Sequence, residues 1–328
     1  MVQKTGTIYK RMDNRIVLDG ENEIRLFAIA RNESLRLPYF LQYYKHLGVD
    51  RIFLIDNNST DSTREIALSE RNVHVFKIDE DFKHFWYWIE YFLKRYGNGK
   101  WCVVVDIDEL LSYPYAESLS LRKLITWLDH HNFTALNAIL LDMYSDKPLK
   151  EVQYQPGKDP IKICPFFDNR FLTVKRTFRD KKRWKTFETY SCYGGMRQRV
   201  FGRINGRQWF LCLSKVPLFK YSEKTYLVEG QHAINGANMA DIKGVVFHTK
   251  FLSDFIHEAK RESVREQHYR NGLEYKIYHS HLYDNPELIL TDRRSKRFRD
   301  SKQLVQLGIM KASEDYLSYL NRNNRRFG

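Results

Sequence analysis

The sequence has little cysteine, no long apolar run and neither of the two common glycine-rich phosphate loops. Its four cysteines, at 102, 164, 192 and 212, include no C-x-x-C pair, so no zinc spacing and no disulfide framework emerge. Reduced, packed thiols fit the cytoplasm, which is the expected location. No apolar stretch reaches the roughly 18 residues of a spanning helix, and the N-terminal "MVQKTGTIYKRMDNRIVLDG" lacks the apolar core of a signal peptide. No G-x-G-x-x-G follows the first strand-like run, which argues against a dinucleotide fold. No G-x-x-x-x-G-K-[ST] occurs, which excludes a P-loop nucleotidase.

What is present is a chain of 328 residues, 43% apolar, enough to bury the core of one large α/β domain or two smaller ones. The net charge is +14, and basic runs cluster late: "KRTFRDKKRWK" at 175–185, "TDRRSKRFRD" at 291–300 and the terminal "NRNNRRFG". Such charge attracts nucleic acid, acidic lipid headgroups or anionic substrates. Each run alone reads equally as a solvated face or a frayed tail.

Between residues 24 and 105 strand-like and helix-like runs alternate: "IRLFAIA", "LPYFLQYYKHLG", "RIFLI", "STDSTREIALSE", "VHVFKI", "HFWYWIEYFLKRYG" and "WCVVV". The spacing demands crossover connections and a mainly parallel sheet covered on both faces. After 120 the pattern predicts a helix in "SLRKLITWLDHH", a buried strand in "TALNAILLDMYS" and a loop or mobile insertion at 146–165, which holds four prolines. Strands are expected in "RFLTVKRTF", "RVFGRI", "KVPLFKY" and "GVVFHTKF", with a charged helix over 252–271.

In an open α/β sheet, ligands bind beyond the carboxyl ends of the strands. Those ends read Arg31, Asn32, Glu33 in "ARNES", Asp56 to Asp61 in "DNNSTD", and Asp106, Asp108, Glu109 in "DIDE". Any one alone is equally a helix cap or turn, but three in succession build an acidic edge. Such an edge repels a bare phosphate and binds one through a divalent cation held by oxygen ligands. Asp106 and Asp108, two positions apart in an extended segment, point the same way. Glu109 is read as a cap of the following turn.

"AIARNES", "IFLIDNNSTDST" and "VVVDIDELL" resemble, in order and spacing, the GT-A glycosyltransferases, above all the family 2-like group of bacterial capsule and lipopolysaccharide synthesis. The resemblance extends through "YGGMRQRVFG" and "GVVFHTKF" and covers about residues 24 to 256. It implies a GT-A type α/β fold: a mainly parallel nucleotide-binding sheet flanked by helices, a mixed acceptor-side region and a C-terminal helical extension. Residues 1–256 would form that domain, with a nucleotide-sugar half at 24–120 and an acceptor half at 121–256, and 257–328 a basic helical extension. By the same resemblance Asp56 reads the nucleotide base, beside Arg31, Asn32 and Glu33. Asp106 is the D-x-D acid near the ribose, Asp108 binds the metal, and His248 completes its coordination. Carboxylates with an imidazole suit Mn²⁺ better than Mg²⁺, although a buried histidine bonded to backbone fits His248 too. Lys250 is placed to neutralise a leaving diphosphate.

The family's acidic pair for the general base is missing after "GGMRQRVFG". Asp168, Glu188 and His232 remain as candidate bases, with Asp168 and His232 taken as the catalytic choices. Aromatic and basic residues alternate in "RWKTFETYSCYGGMRQRVFGR", a composition that suits an anionic saccharide or lipid-linked acceptor as well as single-stranded nucleic acid.

The expected activity is therefore metal-dependent transfer of a sugar, inverting by resemblance, from a nucleotide-sugar donor, UDP-sugar favoured, to a saccharide or lipid-linked acceptor. Peripheral attachment to the inner membrane is expected and nucleic acid is not. Two other readings are a non-enzymatic basic protein binding RNA or an anionic membrane, and a D-x-D phosphotransferase. The first leaves the acidic strand ends unexplained. The second places its acids after the first strand, not the fourth.

Overall fold

The computed structural model describes residues 9–180, 185–204, 207–228 and 230–324. A nine-stranded sheet runs through its centre. In chain order the strands are β1 (Lys10–Arg11), β2 (Ile24–Ala30), β3 (Arg51–Asp56), β4 (Val73–Lys77), β5 (Trp101–Val104), β6 (Glu109–Ser112), β7 (Ala135–Asp142), β8 (Ser214–Lys220) and β9 (Met239–His248). Their spatial order is β1-β4-β3-β2-β5-β8-β7-β9-β6. The run β4-β3-β2-β5 is parallel throughout. Beyond β5 the sheet is mixed: β8 is antiparallel to both its neighbours, β7 and β9 are parallel, and β6 closes the edge antiparallel to β9. A mixed sheet of this kind flanked by helices is compatible with a GT-A-like fold.

The helices α1 (Leu37–Leu47), α2 (Thr63–Ser69) and α3 (Phe85–Tyr96) are the crossovers of the parallel half. Pro38 lies in the first turn of α1, where its missing N–H costs nothing, and Gly48 at φ +103° ends it. Alternation along β2 sends Leu26, Ala28 and Ala30 into one core with α1. Phe27 goes into a second core with Phe53, Phe76 and, from α3, Trp88 and Phe92. Each such large side chain contributes about 1.5–3 kcal/mol by burial, so both faces of the sheet are held.

Two expectations change. Most of "RVFGRI" is not a strand: Gly195–Phe201 is a helix that buries Met196, Arg197 and Phe201, and only Arg203–Ile204 is extended. Gly194 and Gly195, at φ +120° and +66°, turn the chain sharply out of the preceding strand. The charged helix expected over 252–271 runs from Phe255 to Arg265 and stops at Glu266, which is left-handed at φ +56°. The next helix, Tyr269–Asp284, is interrupted by left-handed Arg270, Asn271 and Gly272. The 146–165 segment is a loop, as expected, with short helical turns at Leu149–Glu151 and Pro160–Ile163, and its Leu149, Val152 and Cys164 are buried.

The C-terminal segment is helical at Ser301–Gln306 and Glu314–Asn324. Its Leu304, Ile309, Met310, Tyr316 and Leu320 join the same core cluster as β2 and β5.

Candidate active site

The chain winds outward from β2 to β3 and β4, then returns to place β5 on the other side of β2. The loops after β2 and β5 therefore diverge, which opens a crevice at the carboxyl ends of these strands. A cavity of about 840 Å³ lies there, lined by Arg31, Asn32 and Glu33 from the first loop and by Asp106, Asp108 and Glu109 from the second. His248 and Lys250 reach it from the end of β9, and Glu258 from the helix Phe255–Arg265.

The turn Val105–Asp108 is tied down from several sides. The Asp106 N–H donates to Glu109 Oε2 at 3.1 Å. The Thr249 N–H and hydroxyl both donate to the Asp108 carbonyl, at 2.8 and 3.1 Å. From α1, Tyr44 donates to the Glu109 carbonyl at 2.9 Å and accepts from the Leu111 N–H at 2.9 Å. Glu109 does more than cap a turn: it opens β6, and its buried carboxylate meets Lys215 Nζ of β8 at 2.7 Å. Lys215 also lies 3.5 Å from Asp106 Oδ2 and donates to Gln231 Oε1 at 3.1 Å. Burial opposes the Lys215 charge, and Glu109 and Asp106 outweigh it, holding its pKa above the ordinary lysine value.

His248 and Asp108 form the centre of the cluster, with Nε2 3.2 Å from Asp108 Oδ2. The other ring nitrogen, Nδ1, donates to Asp142 Oδ1 at 2.7 Å, and Asp142 Oδ2 accepts from Arg197 Nε at 2.9 Å. Burial opposes the Asp108 charge, but Lys250 and His248 outweigh it and hold its carboxyl well below the usual range. Lys250 Nζ stands 3.4 Å from Asp108 Oδ2, 3.4 Å from Glu258 Oε1 and 3.0 Å from the Tyr275 hydroxyl. Its pKa is well above the ordinary value because Glu258, Tyr275 and Asp108 outweigh burial. Arg36 grips Asp254 with two bonds, at 2.7 and 3.0 Å, fastening the first loop to the segment that follows Lys250. Beside it, burial lifts the Glu33 carboxyl to about 8, with Arg36 acting in the opposite direction.

On the side of the first loop, Arg31 Nη1 donates to the Asn57 carbonyl at 2.9 Å, and Asn32 Oδ1 accepts from the Thr60 N–H at 2.8 Å. Asp56 is fully buried and does not line the cavity. Its Oδ2 accepts from Arg64 at 3.0 and 2.5 Å and its Oδ1 from the Ser59 N–H at 3.1 Å, so it organises the loop.

Of the candidate bases, His232 lines the cavity. Its Nδ1 bonds the Ser214 carbonyl at 2.8 Å. A carbonyl only accepts, so Nδ1 carries the proton, and the ring also bonds the Cys212 thiol. Asp168 lies outside the cavity, with Arg199 donating to its two oxygens at 2.8 and 3.0 Å and Tyr144 bonding it as well. Glu188 is exposed and paired with Lys175 at 2.7 Å.

The donor set can be tested against a divalent cation. Among the described residues no three His, Cys, Asp or Glu side chains converge into a complete cage. Asp108 Oδ2 and His248 Nε2, 3.2 Å apart, are the oxygen and imidazole donors that would hold a cation there. The Asp142 bond on the far ring nitrogen is the supporting contact that orients a metal-ligating histidine. This pair fits a cation that takes its remaining ligands from substrate phosphate and water, as Mg²⁺ does.

Asp142, Lys215, Arg36 and Glu258 were not singled out by sequence. Asp142 ends the apolar run "NAILLD" and Lys215 stands between apolar neighbours in "LSKVPLF". A charge inside a buried strand is the same signal that drew attention to "VVVDIDE". Glu258 has no such mark, because its helix is charged throughout.

No family model matches the chain. The crystal structure of HddC from Yersinia pseudotuberculosis aligns over 41% of this chain and 70% of its own, at a TM-score of 0.25 and 13% identity, below the level that defines a shared fold. Over 114 residues, 32% of this chain, the sequence is 28% identical to a glycosyltransferase family 92 protein of Ricinus communis. A further match to a protein of the same name is 28% identical over 110 residues, 30% of this chain. These matches span only 18% and 19% of the relatives' own length. The similarity is weak and partial, and it is to glycosyltransferases.

Proposed function

We propose that the chain is a glycosyltransferase that moves a sugar from a nucleotide-sugar donor, UDP-sugar favoured, to a saccharide or lipid-linked acceptor, with Mn²⁺ or Mg²⁺. The observation that carries this reading is the Asp142–His248–Asp108 arrangement, with Lys250 against it, at the switch point of a mixed α/β sheet. The partial similarity to glycosyltransferases supports sugar transfer at a coarse level. The family 2-like grouping, the capsule or lipopolysaccharide setting and the inverting outcome rest on the motif resemblance alone.

In this reading the nucleotide lies toward Arg31 and Asn32, and the diphosphate lies against Asp108, His248 and Lys250. Asp142 fixes the His248 ring so that Nε2 faces Asp108. Lewis-acid stabilisation of the leaving diphosphate is the chemistry a bound cation supplies. Lys250, kept charged by its neighbours, adds fixed positive charge where negative charge develops. The acceptor oxygen attacks the anomeric carbon while the bond to the diphosphate oxygen breaks, its electron pair leaving with the diphosphate. The acceptor's proton goes to His232, the candidate base that lines the cavity. The alternative of a purely binding, basic protein gives the buried acid cluster no task.

The test is release of nucleoside diphosphate from a panel of nucleotide sugars, with and without Mn²⁺. Release is expected for at least one donor, with a loss on the order of 100-fold in Asp108→Asn. Equal rates in that variant would sink the proposal, as would no release with any donor.

A further inference from the structure

The hairpin of Phe171–Asp180 and Lys185–Gly194 is rooted in the core at Cys192 and exposes apolar side chains on both faces, Tyr190 on one and Leu172 and Val174 on the other. Its register pairs Leu172 with Tyr193, Val174 with Ser191 and Arg176 with Thr189. Because paired residues share a face and alternate along the strand, Leu172, Val174, Arg176, Ser191 and Tyr193 lie on one side. Arg176 Nη1 confirms it by reaching the Tyr193 hydroxyl at 3.3 Å and Ser191 Oγ at 3.5 Å. The opposite side carries Cys192, which is buried in the main core.

On the first side Ser191 is buried, and apolar groups stand open beyond it. Leu172 is 57% exposed, Val174 39% and the neighbouring Phe210 54%. Phe210 stands edge-on to Tyr193, with ring centroids 5.9 Å apart. Leu172, Tyr193 and Phe210 also line an apolar hollow of about 270 Å³ beside Arg170, while Arg176, Tyr193 and Phe210 line the main cavity. The hollow and the cavity thus share a rim. Single exposed apolar residues need no explanation, but a contiguous set does.

The surrounding charge identifies the occupant. Residues 170–185 read "RFLTVKRTFRDKKRWK", in which Asp180 is the only acid among the basic residues at 170, 175, 176, 179, 181, 182, 183 and 185. Apolar side chains in a basic segment, with Glu188 of the pairing strand tied to Lys175, are the chemistry of an anionic lipid interface, where the apolar groups enter the acyl boundary and the cations meet headgroup phosphates. We propose that this face of the hairpin docks the protein on an anionic lipid bilayer. Docked so, the rim of the cavity faces the membrane and a lipid-borne acceptor reaches in without leaving the bilayer. That last step rests on the proposed glycosyl transfer; the docking does not.

The test is flotation of the full chain with phosphatidylcholine vesicles, with and without phosphatidylglycerol. Binding is expected only with the anionic lipid, weakening at high salt. Joint replacement Leu172→Ser, Val174→Ser and Phe210→Ser should reduce it by roughly tenfold or more. The single Leu172→Ser, at an exposed position that leaves thermal unfolding unchanged, should show a partial loss. A control variant, Arg293→Glu with Arg299→Glu in the other, exposed basic run, should still bind. The proposal is overturned if anionic vesicles do not carry the protein, if the triple variant floats like the parent, or if the control variant alone loses binding. No arm uses a nucleotide sugar, so failure here leaves the transferase reading untouched, and the reverse also holds.

Discussion

A thiol beside an imidazole gives the cavity its own readable signal. Burial pushes Cys212 up, but the hydrogen bond and charge of His232 outweigh it and bring the thiol down to about 7. Burial, the largest influence on each, drives Cys164 up to about 12 and Cys192 to about 11, and Cys102 higher still. A disulfide reagent should therefore modify Cys212 first, with a rate that rises through a midpoint near pH 7, because the thiolate is the reactive form. His232→Ala should move that midpoint up toward the ordinary thiol range; an unchanged midpoint contradicts the pairing. Lys215 offers a second check at this scale. Lys215→Met strands Glu109 as a buried, unpaired carboxylate and should cost about 3–5 kcal/mol in denaturant unfolding. Adding Glu109→Gln should restore part of that loss. A single variant as stable as the parent would show the pair to be incidental. The acids of "DIDE" and the histidine of "GVVFH" were legible because charge at the end of an apolar run needs a partner. The ion pair of Asp56 with Arg64 was not, since the two stand on different elements and nothing in the spacing links them.

At the scale of elements, the parallel half was legible because each βα unit carries its own punctuation: an apolar run, a polar strand end, an amphipathic stretch and, after α1 and α3, a terminating glycine. The acceptor half was less so, because "MRQRVF" has apolar residues at spacings that suit a strand or a helix equally. Two glycines decide it. A Cβ on Gly194 would lie 2.5 Å from the Arg170 carbonyl oxygen, and the residue is at φ +120°. Gly194→Ala should thus destabilise the protein by more than about 1 kcal/mol, read as a lower denaturation midpoint with an unchanged slope. A neutral result would mean that the turn relaxes without disturbing the hairpin or the helix that follows. That matters for the site, since Arg197 in this helix holds the Asp142 that orients His248.

At the scale of the molecule, the end of the chain is part of the main core. Leu304 and Tyr316 are fully buried there, so removing everything after residue 290 would test folding, not the basic tail. Among the described residues no helix is long and apolar enough to cross a membrane. The central claim is that the two loops at the switch point and the end of β9 join in one diphosphate site. Calorimetric titration of UDP into the full chain, with Mn²⁺ or with EDTA, tests it most directly. Binding with Mn²⁺ that weakens by about tenfold or more in EDTA, with that metal dependence lost in both Asp108→Ala and His248→Ala, is the expected result. Equal UDP affinity with EDTA and in both folded variants would contradict it.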